Sequence, residues 1–174
     1  VIIPRYPPEP ARLIAGWAVL WNDPTIIHGE PRCPFIEQIQ RGAFTDAIAG
    51  RNVDLWIDHE QHRGRVAGQS DGTLALHEDD RGLWFEATIA NTDEGDEALG
   101  LARGAGYRAC SVGMRNVEST WRLEGGQSVR TIKRAGLREI SIVSKGAYRS
   151  ARIGAGAQRI AALRQEPCGC AAFR

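Results

Sequence analysis

The spacing of apolar and polar positions along the chain is that of a β-rich protein. Residues 13–21 form a continuous apolar run with two tryptophans, interrupted only by Gly16, which predicts a buried strand. Residues 34–39 predict a second strand. Gly42, Ala43 and Phe44 then open a short helical turn through Ile48 that Gly50 closes. Strands follow at 53–58 and, shorter, at 65–67. The apolar runs 73–77 and 83–89 flank a polar link ending in Gly82, the pattern of a hairpin. Asn91 followed by Glu94 marks a helix start, and the helix continues to Arg103 and stops at Gly104. Further strands are predicted at 110–117, 129–132 and 137–143, with a hairpin loop at 124–127 and a short helix at 158–164. This order predicts a mainly β fold with some helix (α+β). About seven strands would close, or nearly close, an antiparallel barrel with a few surrounding helices.

The ends differ from the middle. Pro4, Pro7, Pro8 and Pro10 make residues 1–12 an extended tail. Residues 13–148 read as one domain, and 149–174 as a C-terminal tail whose small, basic stretch at 150–157 precedes the short helix. There is no internal repeat. With 43% hydrophobic residues the chain is not mostly disordered. No apolar run approaches the ~18 residues of a membrane helix. Twenty-two basic against 21 acidic residues, with no basic block, give no electrostatic reason to expect nucleic-acid binding. Cys33, Cys110, Cys168 and Cys170 are too few and scattered for a disulfide framework. The C-G-C pair alone is a weak metal signal. With no signal-peptide pattern at the start, these features predict a reducing, intracellular setting.

Four histidines can be weighed singly. His28 and His77 read as surface residues. His59 and His62 are three apart, not four, in a segment that follows a strand, so they lack the shared helix face of a zinc hydrolase, and no cofactor is implied. His59 sits where a strand leaves the core, partly buried yet open to a cleft, with an ordinary pKa of ~6.5 suited to general-base work. Taken alone it reads as structural before catalytic. Ser111 shares a strand face with Ala109 and Gly113, small neighbours that leave room for a peptide, while Cys110, Val112 and Met114 point to the core. Cys110 is thereby the lesser nucleophile. Glu139 stands mid-strand among apolar residues, where a carboxylate needs a partner, either an arginine or a histidine N–H.

Several short segments follow one another along the chain: Gly16 to Asn22, Phe35-Ile36-Glu37, Gly42-Ala43-Phe44, Asp58-His59-Glu60, Gly72-Thr73-Leu74 with Asp79 to Leu83, Cys110 to Met114, Glu139 to Val143, and Gly146-Ala147-Tyr148. The ordered set covers residues 13–148 and resembles the tailed-phage prohead maturation proteases, relatives of the herpesvirus assemblin serine proteases. The resemblance implies a herpesvirus-protease-like fold with His59 as general base, Ser111 as nucleophile and Glu139 as third member. The herpesvirus relatives use a second histidine in that role, which makes His77 the competitor, although it precedes Ser111. Backbone amides around Gly146, Ala147 and Tyr148, with Arg149 holding a water, would serve the oxyanion. Gly146 stands in place of the usual proline, and Asp58 in place of Asn, putting a carboxylate beside the base.

The resemblance further implies a serine endopeptidase in the host cytoplasm, inside the assembling prohead. Its substrates would be scaffold segments of the major capsid protein and its own ends. A self-cleavage site is expected within 151–157, whose small exposed side chains suit a narrow pocket. A homo-oligomer would accord with the dimeric herpesvirus enzymes. Two other readings compete: a non-catalytic capsid-assembly domain on the same barrel, and a metal-dependent hydrolase using His59, His62 and a carboxylate.

Overall fold

The structure, a computed structural model, describes residues 12–28, 33–104 and 106–166. Most of the proline-rich segment and the C-G-C motif lie outside them. Two sheets carry the fold. The first contains β1 (Leu13–Leu20), β6 (Leu74–Glu78), β7 (Gly82–Thr88) and β10 (Ile153–Ala155), in the spatial order β10-β1-β7-β6 and antiparallel throughout. The second contains β2 (Thr25–Ile27), β3 (Phe35–Ile39), β4 (Asp54–Ile57), β5 (Ala67–Gly68), β8 (Ala109–Glu124) and β9 (Gln127–Val143). Helices α1 (Thr45–Ala49), α2 (Asp93–Arg103) and α3 (Ala157–Gln165) complete the fold.

The apolar run of β1 is explained by cover on both faces. Ile14, Ala18 and Val19 enter the main core with Phe44, Phe85 and Ile140. Ala15, Trp17 and Leu20 enter a second core with Trp84 and with Ile160 and Leu163 of α3. A bulge between Trp17 and Val19 lets one strand serve both. Trp17 and Trp84 meet edge to face at 4.9 Å, and the Trp17 indole N–H donates to the Leu163 carbonyl at 3.2 Å. Each fully buried Ile, Leu or Phe of these cores contributes about 1.5–3 kcal/mol. Gly16 interrupts the run for a steric reason: a Cβ there would lie 2.1 Å from the Arg152 carbonyl oxygen, which accepts the Trp17 amide.

The expected closed antiparallel barrel is not formed. β8 pairs antiparallel with β9 along its length, but β3 and β4 both pair parallel to β9, β3 beside Val129 to Ile132 and β4 beside Glu139 to Ile142. β3 and β4 thus lie one after the other along the edge of β9 that β8 leaves free. The α1 segment joins them, with the Ala135 amide bonded to the Ala43 carbonyl between them. The crossover that parallel pairing needs is the chain between β4 and β9. The two sheets share the main core and are joined at one seam by the Ala109–Arg152 bridge and the Cys110–Ala151 and Ile153–Arg108 hydrogen bonds, without closing into a barrel. The separate strands expected within 110–143 are two continuous ones. Bulges between Gly113 and Met114 and between Arg115 and Glu118, with Asn116 at φ 50°, shift the alternation that a strict period of two would read as strand ends.

Within residues 149–166, β10 pairs with β1 and α3 packs on it. Ala151 and Ile153 are fully buried, and β10 lies on β1, which corrects the expectation of exposed side chains within 151–157. Helix α2 begins one residue later than expected, because the Thr92 hydroxyl, not Asn91, accepts the Gly95 amide. No helix among the described residues is long and apolar enough to cross a membrane.

Candidate active site

Three strands build the site. On β9, Glu139 faces Gly113 of β8 on one side and Asp54 of β4 on the other. Two residues along, Ser141 faces Ser111 of β8 and Trp56 of β4. Alternation therefore puts Ser111, Ser141 and Glu139 on one face, while Cys110, Ile140 and Ile142 fill the core from the other. β4 ends at Ile57, and His59 follows two residues later. The Asp58 amide still bonds to the Ile142 carbonyl at 3.0 Å, which fixes where the imidazole emerges.

The turn that carries His59 is strained. Asp58 and His59 have φ of 52° and 63°, a left-handed pair without glycine. Asp and His tolerate this region better than most residues, but such geometry persists only where surroundings enforce it. Here the Asp58 carboxylate accepts from the Tyr107 hydroxyl at 2.8 Å and the Arg63 guanidinium at 3.2 Å. Arg63 also pairs with Glu97 of α2. These contacts tie the turn to α2 and to the segment leading into β8. They also compensate the charge that the sequence placed beside the base, and the carboxylate holds the Tyr107 phenol above its usual range by hydrogen bonding.

Glu139 and His59, 80 residues apart in sequence, meet at 2.8 Å between Oε1 and Nδ1. The Glu139 side chain is 5% exposed and that of His59 44%, so a buried carboxylate orients a ring open to solvent. An ionised carboxylate only accepts, so Nδ1 carries the proton and Nε2 is left as the basic nitrogen. The second oxygen, Oε2, accepts from the Ser141 hydroxyl at 2.5 Å. Of the two partners the sequence allowed for Glu139, the structure selects the histidine. Ser141 was not singled out as a site residue, although alternation from Glu139 already placed it on the same face.

Gly113 has a different role from the one its size proposed. A Cβ at this position would lie 2.0 Å from Glu139 Oε1, so the space is filled by the carboxylate and not kept for a peptide. Ser111 itself is half-buried on this face. Its hydroxyl makes no hydrogen bond to His59 among the described residues, and such bonds commonly tighten only with substrate bound. Cys110 is fully buried, and burial pushes its thiol far up, away from the reactive thiolate.

The loop after β9 passes against Ala109 and Cys110, the residues just before Ser111. A Cβ on Gly146 would lie 2.4 Å from the Cys110 carbonyl oxygen, which gives the reason for glycine here. The loop is anchored by Tyr148, whose buried hydroxyl donates to Glu37 at 2.5 Å and is pushed up mainly by burial, and by Ser150, which bonds Asp23. Glu37 also pairs with Arg130 at 3.0 Å. Ala147 and Arg149 are exposed.

The remaining candidates lie elsewhere. His28 is exposed. His62 stands 3.7 Å from Glu60, and no group of three or more His, Cys, Asp or Glu side chains among the described residues could hold a metal ion. His77 lies on β6 opposite Trp84 and lines an open pocket of about 450 Å³ with Trp17, Asp79, Arg81 and Arg164. That pocket contains none of His59, Ser111 or Glu139. A carboxylate–imidazole pair beside a serine on a shared sheet face is what acyl transfer through a serine nucleophile requires.

No curated protein matches the chain. The family model described as caudovirus prohead serine protease matches residues 7–166, nearly the whole sequence, and the chain belongs to that family.

Proposed function

We propose that this chain is the endopeptidase that removes scaffold segments from capsid proteins inside an assembling prohead, with Ser111, His59 and Glu139 as its catalytic group. The observation that carries the reading is the buried Glu139 carboxylate on His59 Nδ1, in the strand next to Ser111, within a chain of the prohead serine protease family. Ser111 Oγ attacks the scissile carbonyl carbon as its proton passes to His59 Nε2. The tetrahedral intermediate collapses, the amine leaves with the proton from His59, and a water activated by the same nitrogen releases the acyl group from Ser111. Glu139 stabilises the imidazolium at each step.

The oxyanion requires preorganised donors, and the amides of Gly146, Ala147 and Tyr148 are assigned to it because this loop runs against Cys110, next to the nucleophile. Arg149 would hold a water there. Confinement in the shell raises the local concentration of enzyme and substrate, so modest intrinsic activity suffices. Cleavage of the chain's own ends belongs to the same reading. A cut that leaves the fold intact must fall outside β10 and α3, which are packed on β1.

Co-expression with the cognate major capsid protein tests this. The wild-type chain is expected to yield shortened capsid protein, and Ser111→Ala only the full-length form. Equal trimming by both chains would sink the proposal.

A further inference from the structure

One edge of β8 is covered by β9. On the other, only the first two residues have partners among the described residues: Ala109 bridges Arg152, and the Cys110 amide bonds the Ala151 carbonyl at 3.1 Å. Beyond the bulge at Asn116 the register with β9 shifts once more between Glu118 and Ser119, with the extra residue on β9, and residues 119–124 then pair regularly. The other edge of 118–124 has no partner among the described residues, a template for a further strand. Alternation puts Ser119, Trp121 and Leu123 on one face and Glu118, Thr120, Arg122 and Glu124 on the other. Trp121 and Leu123 are 49% and 73% exposed, two of the three large hydrophobic side chains so exposed among the described residues. Trp121 is already held in place by the Phe35 ring at 5.0 Å and the Arg130 guanidinium at 5.7 Å, so little order is lost on binding.

We propose that the occupant of this edge is a second copy of the chain, paired antiparallel about a two-fold axis at Thr120. A two-fold axis normal to the sheet keeps each face continuous, so residues of like parity stand opposite one another. Centring on Trp121 would oppose Glu118 to Glu124, and centring on Arg122 would oppose that arginine to itself. Centring on Ser119 leaves both charges facing neutral residues. The Thr120 register sets Glu118 against Arg122 of the second copy, and by symmetry it does so twice. Centring on Leu123 would also set Arg122 against Glu124 twice, but β8 ends at Glu124, so only residues 122–124 of each copy would overlap. Arg122 already lies 2.6 Å from Glu124 on the same face, and its five donors allow it to serve both carboxylates.

On the opposite face, Trp121 stands across from Ser119 of the second copy, and the Trp121 and Leu123 side chains of both copies join into one apolar strip. The reciprocal spacing, a glutamate and an arginine four residues on, is what argues for a second copy over an unrelated peptide. Ser111 lies nine residues before Thr120, so the pairing neither completes nor blocks the candidate active site and stands apart from the peptidase reading.

Sedimentation velocity over a concentration series into the high micromolar range tests the pairing, with circular dichroism to confirm the fold of each variant. A weak dimer is expected, in keeping with a small interface. Glu118→Arg and Arg122→Glu each turn two attractive pairs into repulsive ones, and each is expected to weaken the dimer about tenfold. The double variant restores both pairs and is expected to return to the wild-type constant. A wild-type chain that stays monomeric throughout, or a double variant as weak as the single ones, would overturn the proposal. So would an edge that takes up a capsid peptide without self-association.

Discussion

Ser111→Ala, His59→Ala and the two together are expected to lower kcat/KM on a capsid-derived peptide by the same factor, on the order of a million-fold. The equality is the informative part. A nucleophile and its base act as one device: without Ser111 there is no hydroxyl for His59 to deprotonate, and without His59 the hydroxyl is a poor nucleophile. Losses that multiply in the double variant would show that the two residues act separately. Ser111 is half-buried outside the apolar core, so Ser111→Ala is expected to leave thermal unfolding unchanged. His59→Ala takes the imidazole from the buried Glu139 carboxylate and is expected to fold with a lowered midpoint.

Glu139→Ala is expected to cost about 10⁴-fold in kcat, and Glu139→Gln much less, roughly 10²-fold, because it loses the charge but keeps the orientation. The reason lies in Ser141. Its hydroxyl donates to Oε2, and a hydroxyl can rotate to accept instead, so a glutamine can turn its amide nitrogen to Ser141 and its oxygen to His59 Nδ1. Alanine removes both the charge and the orienting acceptor. Steady-state kinetics on the two variants separate these contributions. Equal activity of Glu139→Ala and the wild type would remove Glu139 from the catalytic group.

Much of this arrangement was legible in the sequence, and what was not has identifiable causes. The apolar runs of β1, β6 and β7 were readable because burial writes them directly, and Gly104 ended α2 as its type predicts. The parallel pairing of β3 and β4 with β9 was not, since pairing partners far apart in sequence are chosen in three dimensions and leave no local pattern. The long strands β8 and β9 were divided because bulges reset their period. β10 was read as tail because Ile153, Gly154 and Ala155 carry little apolar signal, while Gly16, the residue that admits it, read only as an interruption.

At the site, Glu139 announced its need for a partner by standing charged among Ile and Leu. The choice of His59 rested on resemblance, since a contact across 80 residues leaves no local trace. Gly113 was misread for a related reason: a missing side chain makes room, but the sequence does not say for what. The clamp of Tyr107 and Arg63 on Asp58 went unseen, as hydrogen bonds between separate segments have no periodicity to betray them.

With Ser111 as nucleophile and His59 as the base that activates it, treatment of the folded chain with a fluorophosphonate, followed by peptide mass spectrometry, is the decisive measurement. A single adduct on Ser111 is expected in the wild-type chain, and none in folded His59→Ala. An adduct on Ser141 instead, or labelling of Ser111 that persists unchanged without His59, would contradict these roles.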